Sequence, residues 1–244
     1  MDRAAELTWT EVKARAPGAV ALLPVGSTEA HGPHLPLGTD VFIAEGVCDR
    51  VGRLLLARGQ ACMQFPPLWY GLTEFARGFP GTVSVPGATV TALLAQAVEG
   101  ILEAGFARVA LVNHHLEPAH FAAVKAAAEA ARQKGLKVAC PDHRRKPWAL
   151  ELGEEFCRGG SHAGFYETSL VLASAPHTVR PARMALPDLE IDLAGKIKAG
   201  AANFAQAGGP DAYFGSPRSA TAEDGERLLG VLARMTVAAL DDLG

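Results

Sequence analysis

The sequence predicts an α/β fold in which helices cover both faces of a mainly parallel β-sheet. Short apolar runs that are typical of buried strands alternate with longer segments whose apolar residues recur at helical spacing. Strands that alternate with helices form βαβ units, and these units build parallel sheets. Residues that can bind metal ions follow two of the predicted strands. Because ligands of such sheets bind beyond the carboxyl ends of the strands, we expect one cleft to collect both groups.

The elements follow in chain order from a capped helix that starts near Thr8. Buried strands are predicted over residues 19–24, 61–65, 108–112 and 136–140. Helices are predicted over residues 40–58, 89–104, 117–134, 147–156, 165–175 and 222–240. The stretch 68–86 has little periodicity and is predicted to be a long functional loop or crossover. Residues 176–220 are rich in Pro, Gly and Asp, and their organisation stays open.

Composition restricts the class of protein. At 244 residues and 49% hydrophobic, the chain can bury a sizeable core, and we expect a single domain over residues 1–244. A net charge of −3 gives no general attraction for nucleic acid or anionic membranes, so neither is an expected partner. The first residues lack a signal-peptide pattern, and no run of about 18 apolar residues occurs. We therefore expect a cytoplasmic protein.

The four cysteines are far apart in the chain and form no Cys-x-x-Cys pair. In a chain of this size we expect Cys48, Cys62, Cys140 and Cys157 to be reduced and buried.

The segment that follows the first buried strand carries four potential metal ligands. Between Val25 and Asp40 it contains Glu29, His31 and His34 as well as Asp40, interrupted by glycines and prolines. Glycine and proline fix an irregular backbone, and carboxylate and imidazole ligands together suit zinc, manganese or iron. The segment predicts a metal site at the end of a strand. The alternative is a loop whose polar groups satisfy strand-end backbone groups.

A second group follows the strand that ends at residue 112. His115 and Glu117 are two positions apart, which places both side chains on one side of an extended segment. With Glu29, His31 and Asp40 they make two imidazoles and three carboxylates, more than one catalytic zinc takes from protein. The combined set suits two divalent ions bridged by a carboxylate and a hydroxide. Asp40 is the expected bridge, and Glu117 could also cap the helix that starts at Pro118.

A third group precedes a predicted helix. His162 could act as a general acid or base, since the ordinary pKa of histidine is close to neutral. Glu167 could bind a metal, orient a metal ligand, or place a negative charge at the helix N-terminus. Near the predicted cleft, Tyr70 and Phe75 could line a substrate pocket or belong to the core. His34 could be a hydrogen-bonded loop histidine or a pocket residue.

Five motifs resemble the creatininase (creatinine amidohydrolase) family. They are Gly26-Ser-Thr-Glu-Ala-His-Gly-Pro-His-Leu-Pro-Leu-Gly-Thr-Asp40, Gly78-Phe-Pro-Gly-Thr82, the Asn-x-His segment at 113–115, His162-Ala-Gly-x-x-Glu-Thr-Ser169 and Phe214-Gly-Ser-Pro-Arg-x-Ala-Thr-Ala222. The resemblance implies a three-layer αβα fold, a homohexamer, and two divalent metals per subunit that hydrolyse a C–N bond of an amide. The expected metals are zinc and manganese, with iron as a further option.

The resemblance also implies roles for single residues. Glu29 and His115 are expected to bind one metal, and His31 and Glu117 the other, with Asp40 shared. The family histidine that matches His162 lies at the substrate and takes part in proton transfer.

The chain departs from the family pattern where the substrate pocket is shaped. Its His-Leu-Glu at 115–117 is closer to the His-Tyr-Glu of creatininases than to the Asn-Gly-His-Gly-Gly-Asn of relatives that cleave formamides or trim the mycofactocin precursor. Leu116 replaces the tyrosine, and Arg158 and Gly159 stand where a Trp-Asp pair is expected. Phe75 lies where relatives often carry histidine. Leu116 and Phe75 are therefore expected substrate-binding residues, and the substrate itself stays open.

These patterns predict a dimetal amidohydrolase that cleaves a small cyclic or linear amide. A metal-bridged hydroxide is the expected nucleophile, and His162 is expected to deliver a proton to the departing nitrogen. One alternative is a formamide deformylase or a mycofactocin-type peptidase of the same family. Another is a non-catalytic protein that binds a metal or a small molecule. The last is disfavoured because a binding protein needs no proton donor such as His162.

Overall fold

A five-stranded parallel sheet lies at the centre of the computed structural model, which describes residues 1–159 and 161–244. Its strands are β1 Asp2–Arg3, β2 Val20–Val25, β3 Cys62–Gln64, β4 Arg108–Asn113 and β5 Val138–Ala139, arranged in the order β1-β3-β2-β4-β5. The two longest strands, β2 and β4, are neighbours and pair in parallel from their first residues to their last. Their carboxyl ends therefore lie side by side, as do the loops that follow them.

Helices cover both faces of this sheet. They are α1 Trp9–Arg15, α2 Thr39–Ala57, α3 Gly87–Glu103, α4 Pro118–Gln133, α5 Trp148–Glu151, α6 Glu154–Cys157, α7 Phe165–Ser174, α8 Leu193–Lys198, α9 Phe204–Ala207 and α10 Ala222–Asp241. Alternate residues of a strand point to opposite faces. Val20 and Leu22 of β2 pack with residues of α2, α7 and α10. Ala21 and Leu23 pack with residues of α3 and α4 on the other face. The predicted αβα layering is confirmed.

The prediction of one helix over residues 147–156 is wrong. The structure has two short helices, α5 and α6, separated by Gly153, whose φ of 98° is incompatible with a continuous helix. Strand β1 was not predicted, because two residues carry no periodic signal. It pairs with β3 at one edge of the sheet. No helix among the described residues is both long and apolar enough to cross a lipid bilayer.

The cysteines follow the prediction only in part. All four are free, as expected, and Cys48 and Cys62 are buried. Cys140 is partly buried and Cys157 is exposed, so the prediction that all four are buried is wrong. Cys157 is the last residue of the short helix α6, where it lines the cavity described below.

The segment 176–220 folds into short helices and turns that form a small apolar cluster of their own. Phe204, Ala207 and Phe214 pack there against Leu193, and also against Ala30 from the loop after β2. Residues that are distant in sequence therefore support the loop that carries Glu29 and His31.

Helix α10 approaches α7 so closely that only glycine fits at the contact. A Cβ atom built on Gly225 would overlap the carbonyl oxygen of Ser169 and lie 2.8 Å from the Cβ of Ala173. We expect Gly225→Ala to destabilise the fold by about 2–3 kcal/mol, since backbone must move to admit the methyl group. Gly230→Ala in the same helix meets only the flexible end of Arg234, 3.7 Å away. It should stabilise the fold by up to about 1 kcal/mol through helix propensity.

Urea unfolding of the two variants measures this difference. Equal effects of the two substitutions would contradict the close approach of α7 and α10.

Candidate metal centre and active site

Six buried side chains with carboxylate or imidazole groups meet at the carboxyl edge of the sheet. They come from the loop after β2, the first turn of α2, the connection between β4 and α4, and the first turn of α7. The six are Glu29, His31, Asp40, His115, Glu117 and Glu167. The parallel pairing of β2 with β4 explains why the first two loops meet. Helix α7 reaches them because it packs beside α2.

Asp40 lies between the two histidines of this cluster. Its Oδ1 is 3.3 Å from Nε2 of His31, and its Oδ2 is 3.1 Å from Nδ1 of His115. Each carboxylate oxygen therefore faces a different imidazole. This is the arrangement expected of a carboxylate that bridges two metal ions, each held by one of the histidines.

The remaining carboxylates divide into two groups around this centre. Potential ligand atoms of Glu29, His115 and Glu117 lie within 4.8 Å of one another, and so do those of His31, Asp40 and Glu167. Glu117 thus lies with Glu29 and His115, whereas the resemblance placed it with His31. The position beside His31 is filled by Glu167, whose Oε2 is 3.5 Å from Nε2 of His31.

Hydrogen bonds orient the potential ligands. Nε2 of His115 donates to the carbonyl oxygen of Leu72 at 2.8 Å, which leaves Nδ1 free to face the carboxylates. Ser27 Oγ donates to Asp40 Oδ2 at 2.7 Å, and Thr73 Oγ1 donates to Glu29.

Glu117 is held in a different way, through backbone amides. Its carboxylate accepts from the N–H groups of Glu74 and Phe75 at 3.1 and 3.3 Å. The loop between β3 and α3 therefore positions Glu117 and, through Thr73 and Leu72, the neighbouring ligands.

The charges of the cluster fit a cationic occupant. Burial disfavours a charged imidazole, yet the carboxylates of Asp40, Glu167 and Glu29 outweigh it and raise the pKa of His31 to about 10. Burial is the largest cause that raises the pKa of Glu167 to about 8, and the charge of Asp40 adds to it. The buried Nε2 of His31 has no hydrogen-bond partner among the described residues. Excess negative charge and an unpartnered imidazole nitrogen are what a divalent metal would satisfy.

His162 lies beside this cluster with one nitrogen anchored. Its Nε2 donates to the carbonyl oxygen of Ala30 at 3.0 Å, and its Nδ1 lies 3.9 Å from both Glu29 Oε1 and Glu167 Oε2. Burial and the charge of His31 lower the pKa of His162 to about 3. The ring is therefore neutral, with an unprotonated Nδ1 that faces the cluster and can accept a proton.

Glu167 is held by the turn that leads into α7. Its Oε2 accepts from the N–H of Ala163 at 2.6 Å, and Ala163 has a left-handed φ of 52°. A non-glycine residue adopts this conformation only where surrounding contacts enforce it. The turn is fixed in the position that directs both His162 and Glu167 into the site.

Glu155 anchors the same turn from outside the site. Its carboxylate accepts from the backbone N–H groups of Phe165, Tyr166 and Ser216 at 2.9–3.0 Å. We expect Glu155→Ala to destabilise the fold by about 2–4 kcal/mol, since these amides lose their acceptor. Urea unfolding measures the loss. Glu154→Ala is the matched control, because Glu154 is exposed and pairs only with the exposed Arg158, so its effect should stay below about 1 kcal/mol. An equal loss in both variants would show that Glu155 has no such role.

The cluster forms the floor of a cavity of about 650 Å³. Its apolar walls include Phe75 and Leu116, both of which were predicted substrate-binding residues, and also Leu150, Phe156, Leu193, Ile197 and Phe204. Its exposed rim carries Arg144, Lys146 and Lys198.

Two further predicted pocket residues lie elsewhere. Tyr70 is 52% exposed to solvent and is not among the residues that line the cavity. His34 is buried outside the cavity, where its Nε2 lies 3.0 Å from Thr168 Oγ1. It is the hydrogen-bonded loop histidine of the two predicted alternatives.

Sequence reasoning missed residues that the fold brings to the site from a distance. Phe204 packs on His162 with 4.2 Å between ring centroids, but it belongs to the segment 176–220, whose organisation the sequence left open. Thr73 and the rim cations are ordinary surface types in the sequence, and no pattern marked them. Ser27 could have been noticed, since it lies two positions before Glu29.

An αβα fold with a buried group of carboxylates and imidazoles at the carboxyl edge of its sheet is typical of α/β enzymes, and such a group could hold metal ions. Comparison with known proteins identifies the family within that class. The model of the family described as "Creatininase: Creatinine amidohydrolase" matches residues 5–240. The chain belongs to the creatininase family, and it is a hydrolase that acts on C–N bonds.

Three similar proteins show the range of this family. A creatinine amidohydrolase of Pseudomonas putida is 32% identical over 192 residues, which are 71% of this chain and 72% of that protein. A mycofactocin precursor peptide peptidase of Mycolicibacterium smegmatis is 31% identical over 212 residues, 86% of this chain and 79% of the relative. A solved structure described as "Creatininase Mn" superposes with a TM-score of 0.75 at 25% identity and covers 98% of this chain and 97% of its own.

Proposed function

We propose that this protein is an amidohydrolase that uses two divalent metal ions to cleave a C–N bond of an amide. The observation that carries the proposal is the position of Asp40, which presents one oxygen to each of two histidines at 3.3 and 3.1 Å. Glu29, His115 and Glu117 would hold one ion, and His31 and Glu167 the other, with Asp40 shared. Zinc and manganese suit this mixture of imidazole and carboxylate, and iron is a third option.

When bound, the metals supply a water of lowered pKa and polarise the amide carbonyl. The residues of the chain transfer the proton and exclude water. The neutral His162 accepts a proton at Nδ1 from the attacking water, while its anchored Nε2–H keeps the ring in place. Its position beside Glu29 and Glu167 lets it pass that proton to the departing nitrogen. Phe204, packed against the ring, excludes water from this side of it.

The proposal is tested by metal analysis of the purified protein together with a hydrolysis screen. The screen contains creatinine, other lactams, formamides and short peptides, each with added manganese or zinc. We expect close to two metal ions per chain and turnover of at least one amide. Protein that binds no metal after careful reconstitution would refute the proposal.

The cavity favours a second candidate for the substrate. A volume of about 650 Å³ is in the range that holds a drug-sized ligand, and it exceeds what a single small ring fills. Leu116 and Phe75 make the wall near the floor apolar. A mycofactocin-type peptidase, as in one relative, or a formamide deformylase therefore remains beside a hydrolase of small cyclic amides. Turnover of peptides without turnover of lactams would select the peptidase.

The resemblance supports a further proposal, a homohexamer, and the cytoplasmic location expected from the sequence stays a prediction. Exposed apolar residues such as Trp9, Trp69 and Tyr70 are available for contacts between subunits. Light scattering on the purified protein measures the number of subunits, and a monomer would refute the hexamer.

A further inference from the structure

The charge of the side chains that line the cavity changes from negative at its floor to positive at its rim. The floor carries the carboxylates of Glu29, Asp40, Glu117 and Glu167, which are buried. The rim carries the exposed side chains of three cations, Arg144, Lys146 and Lys198. Arg144 and Lys146 follow strand β5, and Lys198 ends helix α8. Two separate parts of the chain thus bring positive charge to one opening.

Arg144 is fixed in place. Its Nε and Nη2 donate to the two carboxylate oxygens of Asp142 at 2.9 and 3.1 Å. Its guanidinium carbon lies 3.7 Å from the centre of the Phe121 ring. A bidentate ion pair and a cation–π contact together order the side chain. The guanidinium therefore presents its remaining N–H groups in a defined direction.

The two lysines of the rim carry uncompensated charge. Within the described part of the chain, no carboxylate lies within 4.0 Å of the ammonium group of Lys146 or Lys198. By contrast, Lys134 on the outer surface pairs with Glu99 at 2.5 Å. An opening between low-dielectric walls concentrates the field of such charges and attracts an anion.

The wall between floor and rim is apolar. Phe156, Leu193 and Ile197 line the cavity and are less exposed than the three cations, whereas Leu150, which also lines it, is largely exposed. A ligand that spans the cavity would meet the metal centre at one end, apolar side chains along its length, and three cations at the other end.

We propose that the rim formed by Arg144, Lys146 and Lys198 binds an anionic group, a carboxylate or a phosphate, at the far end of the amide substrate. The inference rests on the proposed amidohydrolase function and narrows its substrate to an amide with an acidic tail. The anion replaces water around Lys146 and Lys198 and adds hydrogen bonds from Arg144. An uncharged amide gains neither.

The test measures binding of graded probes to the metal-loaded protein by calorimetry. The probes are monohydroxamates of dicarboxylic acids of increasing chain length, whose hydroxamate binds a metal centre and whose far carboxylate acts as the acidic tail. Each is compared with the same molecule carrying a neutral carboxamide in place of the carboxylate. A third series carries a phosphonate at the far end. The carboxylate and phosphonate series separate the two sources of the anion.

We expect one chain length at which an anionic probe binds at least about tenfold more tightly than its neutral partner. The double variant Lys146→Gln/Lys198→Gln should reduce that preference about fivefold or more, and adding Arg144→Gln should abolish it. Affinity for the neutral probe should stay within about twofold, since no rim charge touches it. The matched control is Arg145→Gln/Lys196→Gln, which removes the same number of charges from neighbouring positions that do not line the cavity. This control should keep the preference.

Three results would overturn the inference. Equal affinity for anionic and neutral probes at every chain length would refute it and leave the amidohydrolase proposal intact. A preference for the anion that survives the triple variant would show that other groups bind the tail. Failure of all probes, the neutral ones included, would instead refute the metal centre and the inference that depends on it. Binding of the neutral probes therefore distinguishes a failure of the rim inference from a failure of the proposed metal centre.

Discussion

Asp40→Ala should remove both metal ions and lower kcat/KM by about 10³-fold or more. The variant deletes the one carboxylate that faces both His31 and His115, so neither group of ligands stays complete. In the proposed mechanism the metals would supply several kcal/mol of transition-state stabilisation, and each 1.4 kcal/mol corresponds to about a factor of ten in rate. Metal content and amide hydrolysis of the same preparation check the prediction.

Asp49→Ala is the matched control, because it removes an aspartate from the same helix. Asp49 is partly exposed and lies near Arg3, far from the metal cluster. This variant should retain metal and activity. If Asp40→Ala kept two ions per chain and full activity, the bridging role of Asp40 would be refuted.

His162→Ala should lower kcat by about 10²- to 10⁴-fold while metal content stays unchanged. The ligand atom of His162 lies within 4.8 Å of those of Glu29 and His31, but this third group does not include Asp40. Nδ1 of His162 is 3.9 Å from Glu29 Oε1, farther than the nitrogens of His31 and His115 are from their nearest carboxylate oxygens. Loss of the ring removes the group that moves the proton and leaves the ligands in place. The space vacated beside Phe204 should also let added imidazole restore part of the rate.

His177→Ala serves as the control for this variant, since His177 is an exposed histidine in a turn after α7. It should be neutral in both measurements. Parallel loss of metal and activity in His162→Ala, without rescue by imidazole, would mean that His162 is a ligand. That outcome would contradict its role in proton transfer.

The layered fold could be predicted because its signals are local. The spacing of apolar residues marked α2, α3, α4 and α10, and short apolar runs marked β2 and β4. Elements that depend on tertiary contacts could not be found this way. The edge strand β1 has two residues, and α5 and α6 are separated by a single glycine in an unusual conformation. In 176–220, folding follows from contacts with Ala30 and Ala76, which no local pattern encodes.

The candidate ligands could be predicted because they cluster in sequence next to strand ends. How they group around Asp40 could not be predicted, because only the folded chain brings Glu117 close to Glu29 and His115, and Glu167 close to His31. The residues that line the pocket were more difficult to predict than the candidate ligands. Tyr70 was an aromatic residue at a plausible position, yet its side chain is half exposed to solvent, whereas Phe204 packs on His162 and belongs to none of the five motifs. A side chain's direction depends on packing that the sequence does not display.

The site is built from residues that are far apart in the sequence, and this separation affects when the site can form during synthesis and folding. The carbonyl oxygen of Ala30 accepts a hydrogen bond from His162, which lies 132 positions later in the chain. Ala30 also packs against Phe204 and Phe214 in the small apolar cluster of segment 176–220. During synthesis, Glu29, His31 and Asp40 are present long before Glu167 exists. Contacts of such long sequence separation form late in folding. Under the proposed function, an ion that met the nascent chain would find an incomplete set of ligands, and the full set would form only after the C-terminal third of the chain has folded onto the rest.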